Sequence, residues 1–206
     1  MPIDVEYEAT FPDVDKDEMR RRLESAGATL VKPEFMQRRH VFRFPKGHEI
    51  EGGWLRVRDE SDKITLSLKV VSGNKIEDQK EICLKVDNYL NAVELLKTMG
   101  CEVKAFQESK RELWKLDSCD VTIDEWPFLE PYVEVEGPDE ATVKAASEKL
   151  GFDYSTAVFG SVDILYNKKY GWEIDLINNW LPSITFSEEN PFLKTKPEIP
   201  NKNPPS

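Results

Sequence analysis

A chain of 206 residues with 39% hydrophobic and 33% charged residues has enough apolar content for one substantial core. Its net charge of −11 excludes a surface that generically attracts nucleic acid or anionic lipid, so any polyanion it binds must meet basic residues gathered in one place. No run approaches the ~20 apolar residues of a membrane helix, and an N-terminus bearing Asp4, Glu6 and Glu8 lacks the order of a signal peptide, so a cytoplasmic protein is expected. Three cysteines (Cys83, Cys101 and Cys119) form no CxxC pair, which argues against a disulfide framework or a zinc cluster. Two histidines, His40 and His48, and the lack of a nucleophile-elbow or P-loop string make a serine hydrolase or P-loop enzyme a poor fit.

In chain order, Glu6-Tyr7-Glu8-Ala9-Thr10-Phe11 reads as a strand with Glu6, Glu8 and Thr10 on one face. Two carboxylates held that close repel unless a cation or water screens them. A helix follows through Met19 and Leu23 to Gly27, then a strand clearest at Arg39 to Phe44. Trp54 to Arg58 alternates, with Arg56 and Arg58 sharing a face; Lys63 to Val71 sets Ile64, Leu66, Leu68 and Val70 against Thr65, Ser67 and Lys69. A further strand near Glu77 to Val86 opposes Glu81, Cys83 and Lys85 to Ile82, Leu84 and Val86. A helix capped by Asp87 or Asn88 presents Ala92, Val93, Leu96 and Met99 as an apolar stripe ending at Gly100.

Strands are then expected at Leu113 to Leu116, at Cys119 to Glu125 and at Tyr132 to Glu136, where Glu134 and Glu136 repeat the opening pair of carboxylates. A third helix runs from Asp139 through Val143, Ala146 and Leu150 to Gly151, and a shorter one covers Val162 to Tyr170. Phe35 to Arg39 and Phe106 to Arg111 share a weak pattern that points to internal pseudo-symmetry. The main domain is expected to span residues 1–171, followed by an extension at 172–206 whose Trp172, Ile174, Trp180, Leu181, Ile184, Phe186 and Phe192 pack on it. Roughly the last ten residues, rich in proline, are expected to be disordered.

The charged faces decide the architecture. Acidic pairs sit on the first and last strands and basic residues dominate the middle ones, whereas the opposite faces are apolar. An α+β fold is expected: an eight-stranded antiparallel barrel with the charges turned inward and the helices packed on the outside. Such segregation suits a polyphosphate, with arginines gripping oxygens and carboxylates holding a hard divalent cation.

At this point the chain resembles the CYTH family, the triphosphate tunnel metalloenzymes, over residues from Ile3 to Gly151. The markers, in order, are Glu6 and Glu8 of an ExExK-type strand, the LRxR strand (Leu55, Arg56, Arg58), a TLxLK strand (Leu66, Leu68, Lys69), Lys80-Glu81, Lys110-Arg111 before Trp114, Asp124, and the ExE strand Glu134 to Glu136. The resemblance implies a tunnel in which Arg56, Arg58, Lys69 and Arg111 bind phosphate oxygens, with Lys110 either joining them or pointing outward, and Arg39 is a further candidate for binding phosphate if its side chain enters the tunnel. The resemblance also implies that Glu6, Glu8, Glu81, Asp124, Glu134 and Glu136 supply or support a site for Mg²⁺ or Mn²⁺. Catalysis would then rest on Glu6, Glu8, Arg56 and Arg58.

Three positions depart from the family pattern. Thr10 replaces the lysine of ExExK, and Arg39 and Val41 stand where an acid and a tyrosine are usual. The implied function is metal-dependent hydrolysis of a triphosphate, either inorganic tripolyphosphate or an organic one such as thiamine triphosphate or a nucleotide. The alternatives are an adenylyl cyclase releasing pyrophosphate from ATP, and a non-catalytic polyphosphate- or nucleotide-binding module. The expected partner is a small-molecule triphosphate, with no nucleic acid and no membrane, in a monomer or homodimer.

Overall fold

The computed structural model describes residues 3–196. Its elements run β1 (Asp4–Val5), β2 (Tyr7–Phe11), α1 (Lys16–Ser25), β3 (Thr29–Arg43), β4 (Gly53–Asp59), β5 (Ile64–Val71), β6 (Gln79–Val86), α2 (Tyr89–Thr98), β7 (Glu102–Leu116), β8 (Cys119–Glu125), β9 (Tyr132–Gly137), α3 (Glu140–Lys149), α4 (Asp163–Tyr170), α5 (Ile174–Trp180) and β10 (Ser183–Ile184). The α+β class and the antiparallel barrel agree with the sequence. The strands follow the order β1-β6-β5-β4-β3-β7-β8-β9-β2.

β1 and β2 are halves of one run broken at Glu6, so the two ends of this sheet meet and the barrel is nearly closed. Across the seam Glu6 N–H donates to the Gln79 carbonyl at 2.9 Å, and Gln79 Nε2 donates to the Glu8 carbonyl at 3.1 Å. Nine strands therefore replace the eight expected. The first half of the run pairs with β6 and the second with β9, and beyond the break the free edge of β2 turns instead to Val158, which exchanges both backbone bonds with Thr10.

β3 and β7, the two long strands, pair from Thr29 opposite Lys115 to Arg43 opposite Glu102, so the two similar segments noted in the sequence lie side by side. β8 covers β7 only over Lys110 to Leu116, and β10 takes the edge left free at Phe106 and Gln107, running parallel to it.

The helices begin where short polar side chains satisfy the first free N–H groups: Asp15 accepts from Glu18 N, Asn88 from Asn91 N and Asp139 from Thr142 N. α1 and α3 bury Met19, Leu23, Val143 and Ala146 with Val121, Ile123, Val133 and Val135 of β8 and β9. α2 buries Ala92, Val93 and Leu96 with Phe42 and Val57. Met99 leaves the expected stripe: as the C-cap residue it sits past the last helical turn and is exposed.

A second apolar cluster joins Trp126 and Tyr132 to Tyr166, Trp172, Leu176, Ile184 and Phe192. The Phe192 ring stacks on Tyr166 at 4.6 Å and on Tyr170 at 4.7 Å. Of the apolar residues expected to pack beyond Gly171, Trp172, Leu181, Ile184 and Phe192 are buried, whereas Ile174 and Trp180 are exposed. The disorder expected of the final residues falls outside the described range. Among the described residues no helix is long and apolar enough to cross a membrane.

Candidate active site

Residues directly opposite each other in paired strands share a face. The register therefore places the charged positions on one wall: Arg39 opposite Arg58, Arg58 opposite Thr65, Lys69 opposite Glu81, Arg111 opposite Asp124, Glu134 opposite Thr10, and Glu136 opposite Glu8. Burial shows that this wall faces inward. Thr65, Ser67, Arg39 and Asp124 are buried, while the apolar Ile82 and Leu84 on the other face of β6 are 43% and 55% exposed. The helices cover β2, β8 and β9 on one side and β4 and β7 on another, and on β6 they leave Ile82 and Leu84 exposed while Val86 packs against the α2 cluster.

Inside, most cations are matched to carboxylates. Arg56 Nη2 lies 2.9 Å from Glu81 Oε1, Arg58 Nη2 2.8 Å from Glu60 Oε1, and Lys69 Nζ 2.7 Å from Glu6 Oε2. Arg111 grips Asp124 through Nε at 2.7 Å and Nη2 at 2.8 Å, and its Nη2 also reaches Glu134 at 2.5 Å. Thr122 donates to the same Asp124 carboxylate at 2.7 Å. Arg39 differs. Its Nη2 donates to Gln37 Oε1 at 2.8 Å and to Ser109 Oγ, its guanidinium lies 4.5 Å over the Trp126 ring, and among the described residues it has no carboxylate partner.

The carboxylates are in electrostatic conflict. Burial, only partly offset by Lys69, lifts Glu6 to about 7. Burial lifts Glu8 to about 7 too, with the charges of Glu6 and Glu136 adding to the rise. Glu134 is pushed well up by burial and by Glu8. Burial would also raise Glu81 and Glu60, but the hydrogen bond from Glu6 together with Arg56 holds Glu81 down, and Arg58 holds Glu60 down.

Among the described residues no three acidic, cysteine or histidine groups are already gathered at metal-ligand spacing. The chemistry of the donors still fits a hard cation: Glu8 is the common neighbour of Glu6, Glu134 and Glu136, all supply oxygen, and their mutual repulsion is what a divalent ion would relieve. Glu81 and Asp124, expected to supply or support the metal site, pair with Arg56 and Arg111.

Of the candidate residues named from the sequence, Glu6, Glu8, Arg39, Arg56, Arg58, Lys69, Glu81, Arg111, Asp124 and Glu134 line the lumen, and Glu136 is an exposed extension of its wall. Lys110 does not belong there. One residue from Arg111, it takes the opposite face, bonding Glu125 at 3.0 Å and lying over Phe186. Three lumen residues were missed. All three lie at the period of alternation, two positions from Arg58, Arg39 and Arg111 respectively, and the register sets Ser109 directly opposite Gln37. A surface cleft between Arg22 and Leu150 lies away from this chemistry, as expected of packing between α1 and α3.

The CYTH domain model matches residues 4–160. No curated protein matches the chain. Among solved structures, a candidate adenylate cyclase from Vibrio parahaemolyticus is similar with a TM-score of 0.67 at 12% identity, covering 81% of this chain and 99% of that one. The PH1012 protein of Pyrococcus horikoshii gives 0.61 at 20% identity, covering 74% and 94%. HpAC1 of Hippeastrum, a candidate adenylyl cyclase described as having a dominant triphosphatase activity, gives 0.50 at 12%, covering 80% and 97%.

Proposed function

This chain belongs to the CYTH family, and from that premise we propose that it hydrolyses a triphosphate, inorganic tripolyphosphate or an organic one such as thiamine triphosphate or a nucleotide, with Mg²⁺ or Mn²⁺. The carrying observation is the inner wall of the barrel, on which Arg39, Arg56, Arg58, Lys69 and Arg111 are gathered with Glu6, Glu8 and Glu134. The guanidinium groups bind and align the phosphate chain, and their hydrogen bonds strengthen on the oxygens that gain charge as the bridging P–O bond breaks. Glu81, Glu60 and Asp124 orient Arg56, Arg58 and Arg111 for that task.

Glu6, Glu8, Glu134 and Glu136 would hold the divalent ion, which when bound supplies charge neutralisation on the phosphates. The Glu8 side chain has no direct hydrogen bond or ion pair among the described residues, which leaves its oxygens open toward the ion.

The test is purified protein with Mg²⁺ or Mn²⁺ and tripolyphosphate, thiamine triphosphate or ATP, following phosphate, pyrophosphate and cAMP. Phosphate release is expected, and Arg58→Ala should lower turnover ~10²-fold or more, as loss of one preorganised donor does elsewhere. Tight binding without turnover would favour a non-catalytic module instead.

One observation favours a second reading, an adenylyl cyclase. Trp54 shares the inward-facing parity of Arg56 and Arg58, lies opposite Lys69, and borders a cleft with Phe44, Ile50 and Lys104, an arrangement able to stack a nucleobase. Formation of cAMP from ATP, lost in Trp54→Ala while tripolyphosphate binding persists, would establish it.

A further inference from the structure

Arg39 is the lumen cation without a carboxylate counter-charge in the described structure. It is 5% exposed, and burial together with Arg58, Arg56 and Arg111 pushes its pKa down, although a guanidinium stays charged. Leaving a buried charge unpaired destabilises a fold strongly, and the sheet does not relieve the cost, because the opposed positions in the register are Arg58 and the uncharged Gln107.

The surrounding groups hold the side chain in place without neutralising it. Gln37 Oε1 and Ser109 Oγ accept from Nη2, Ser109 also donates to Gln37 Oε1 at 3.1 Å, and Trp126 stacks against the guanidinium. Two buried donors remain without partners, Arg39 Nε and Gln37 Nε2, and Arg56 Nε on the neighbouring strand is likewise unsatisfied. Buried donors in folded proteins are nearly always satisfied, so a group of them on one inner wall calls for an acceptor-rich ligand.

We propose that Arg39, oriented by Gln37, Ser109 and Trp126, takes a phosphoryl group of the substrate as its counter-ion and so selects for the more highly charged phosphate chain. The inference rests on the triphosphate reading. Gln37 and Ser109 are positioning residues, and Arg39 supplies the extra cation that Thr10, in place of a lysine, does not. The two lie on different strands of the wall, so the charge approaches the phosphates from the β3 side rather than from β2.

The experiment compares wild type, Arg39→Met, Arg39→Lys and Gln37→Leu by thermal melting without ligand and by calorimetric titration with tripolyphosphate and with pyrophosphate, each with Mg²⁺. Arg39→Met is expected to melt at or above the wild-type temperature without ligand, since it removes an unpaired buried charge. It is expected to bind tripolyphosphate about 30-fold or more weakly, as truncation of one partner of a buried charge pair does. Its loss toward pyrophosphate should be smaller. Arg39→Lys should recover part of the affinity, and Gln37→Leu should weaken it several-fold.

If wild type binds tripolyphosphate and Arg39→Met binds it equally well, or if Arg39→Met melts far lower while binding is retained, this inference is overturned and the triphosphate reading survives. If wild type binds no tripolyphosphate, both fall. Should Arg39→Met not fold, unchanged affinity in Gln37→Leu overturns the proposal.

Discussion

At the scale of single residues, Glu8 shows how the lumen stores free energy. Its carboxyl and that of Glu6 stand near 7 because burial disfavours their charged forms. Groups raised in this way bind protons more tightly folded than unfolded. Their contribution to stability is full below the unfolded value near 4.5 and is lost as pH rises toward 7. The metal-free protein should therefore melt at a higher temperature at about pH 5.5 than at about pH 8, and Glu8→Gln should narrow the difference. Mg²⁺ should raise the melting temperature more at the higher pH, where the ionised carboxylates are costliest. A melting temperature independent of pH in metal-free wild type would contradict the account of Glu8. The residue scale also shows the reach of period-two reasoning. Alternation sets Glu6 with Glu8 and Arg56 with Arg58 on shared faces and gives the face of Lys69, whereas the basic pair Lys110-Arg111 gives no clue to which member points inward, and the register turns Lys110 outward.

At the scale of elements, the helices were legible because their signals are local. Asp139 before an apolar stripe and Gly151 after it bound α3 as the sequence implies, and the cap is made by Asp139 Oδ1 accepting from Thr142 N and Oγ1, both at 2.8 Å. Asp139→Ala should cost about 1 kcal/mol, read as a lower urea midpoint with an unchanged slope. A loss of several kcal/mol would mean that Asp139 does more than cap. The break at Glu6 was not legible. Nothing within Asp4 to Phe11 marks it; it arises because two partners on opposite sides, β6 and β9, compete for one run. The same holds for β10, which fills the edge of β7 where β8 stops short.

At the scale of the molecule, the segment after Gly171 belongs to the barrel's support. Trp126, over which Arg39 lies, is packed in the cluster that Phe192 completes with Tyr166 and Trp172. Phe192→Ala should destabilise the protein by about 3–5 kcal/mol in chemical denaturation, the usual cost of removing a buried aromatic ring. It should also weaken tripolyphosphate binding through Arg39; a variant as stable as wild type would place Phe192 outside the core. By itself the sequence determined the alternating strands, the capped helices, the segregation of acidic and basic strands and the family, because each is written in side-chain type at short spacing. Only the tertiary structure decided that the charged face is the interior, that Glu81 and Asp124 pair with arginines, and that Arg39 is left without a counter-charge among the described residues. Those are facts of closure and register: they depend on which strands meet across a barrel, and on a low-dielectric interior in which every charge must find its partner in space.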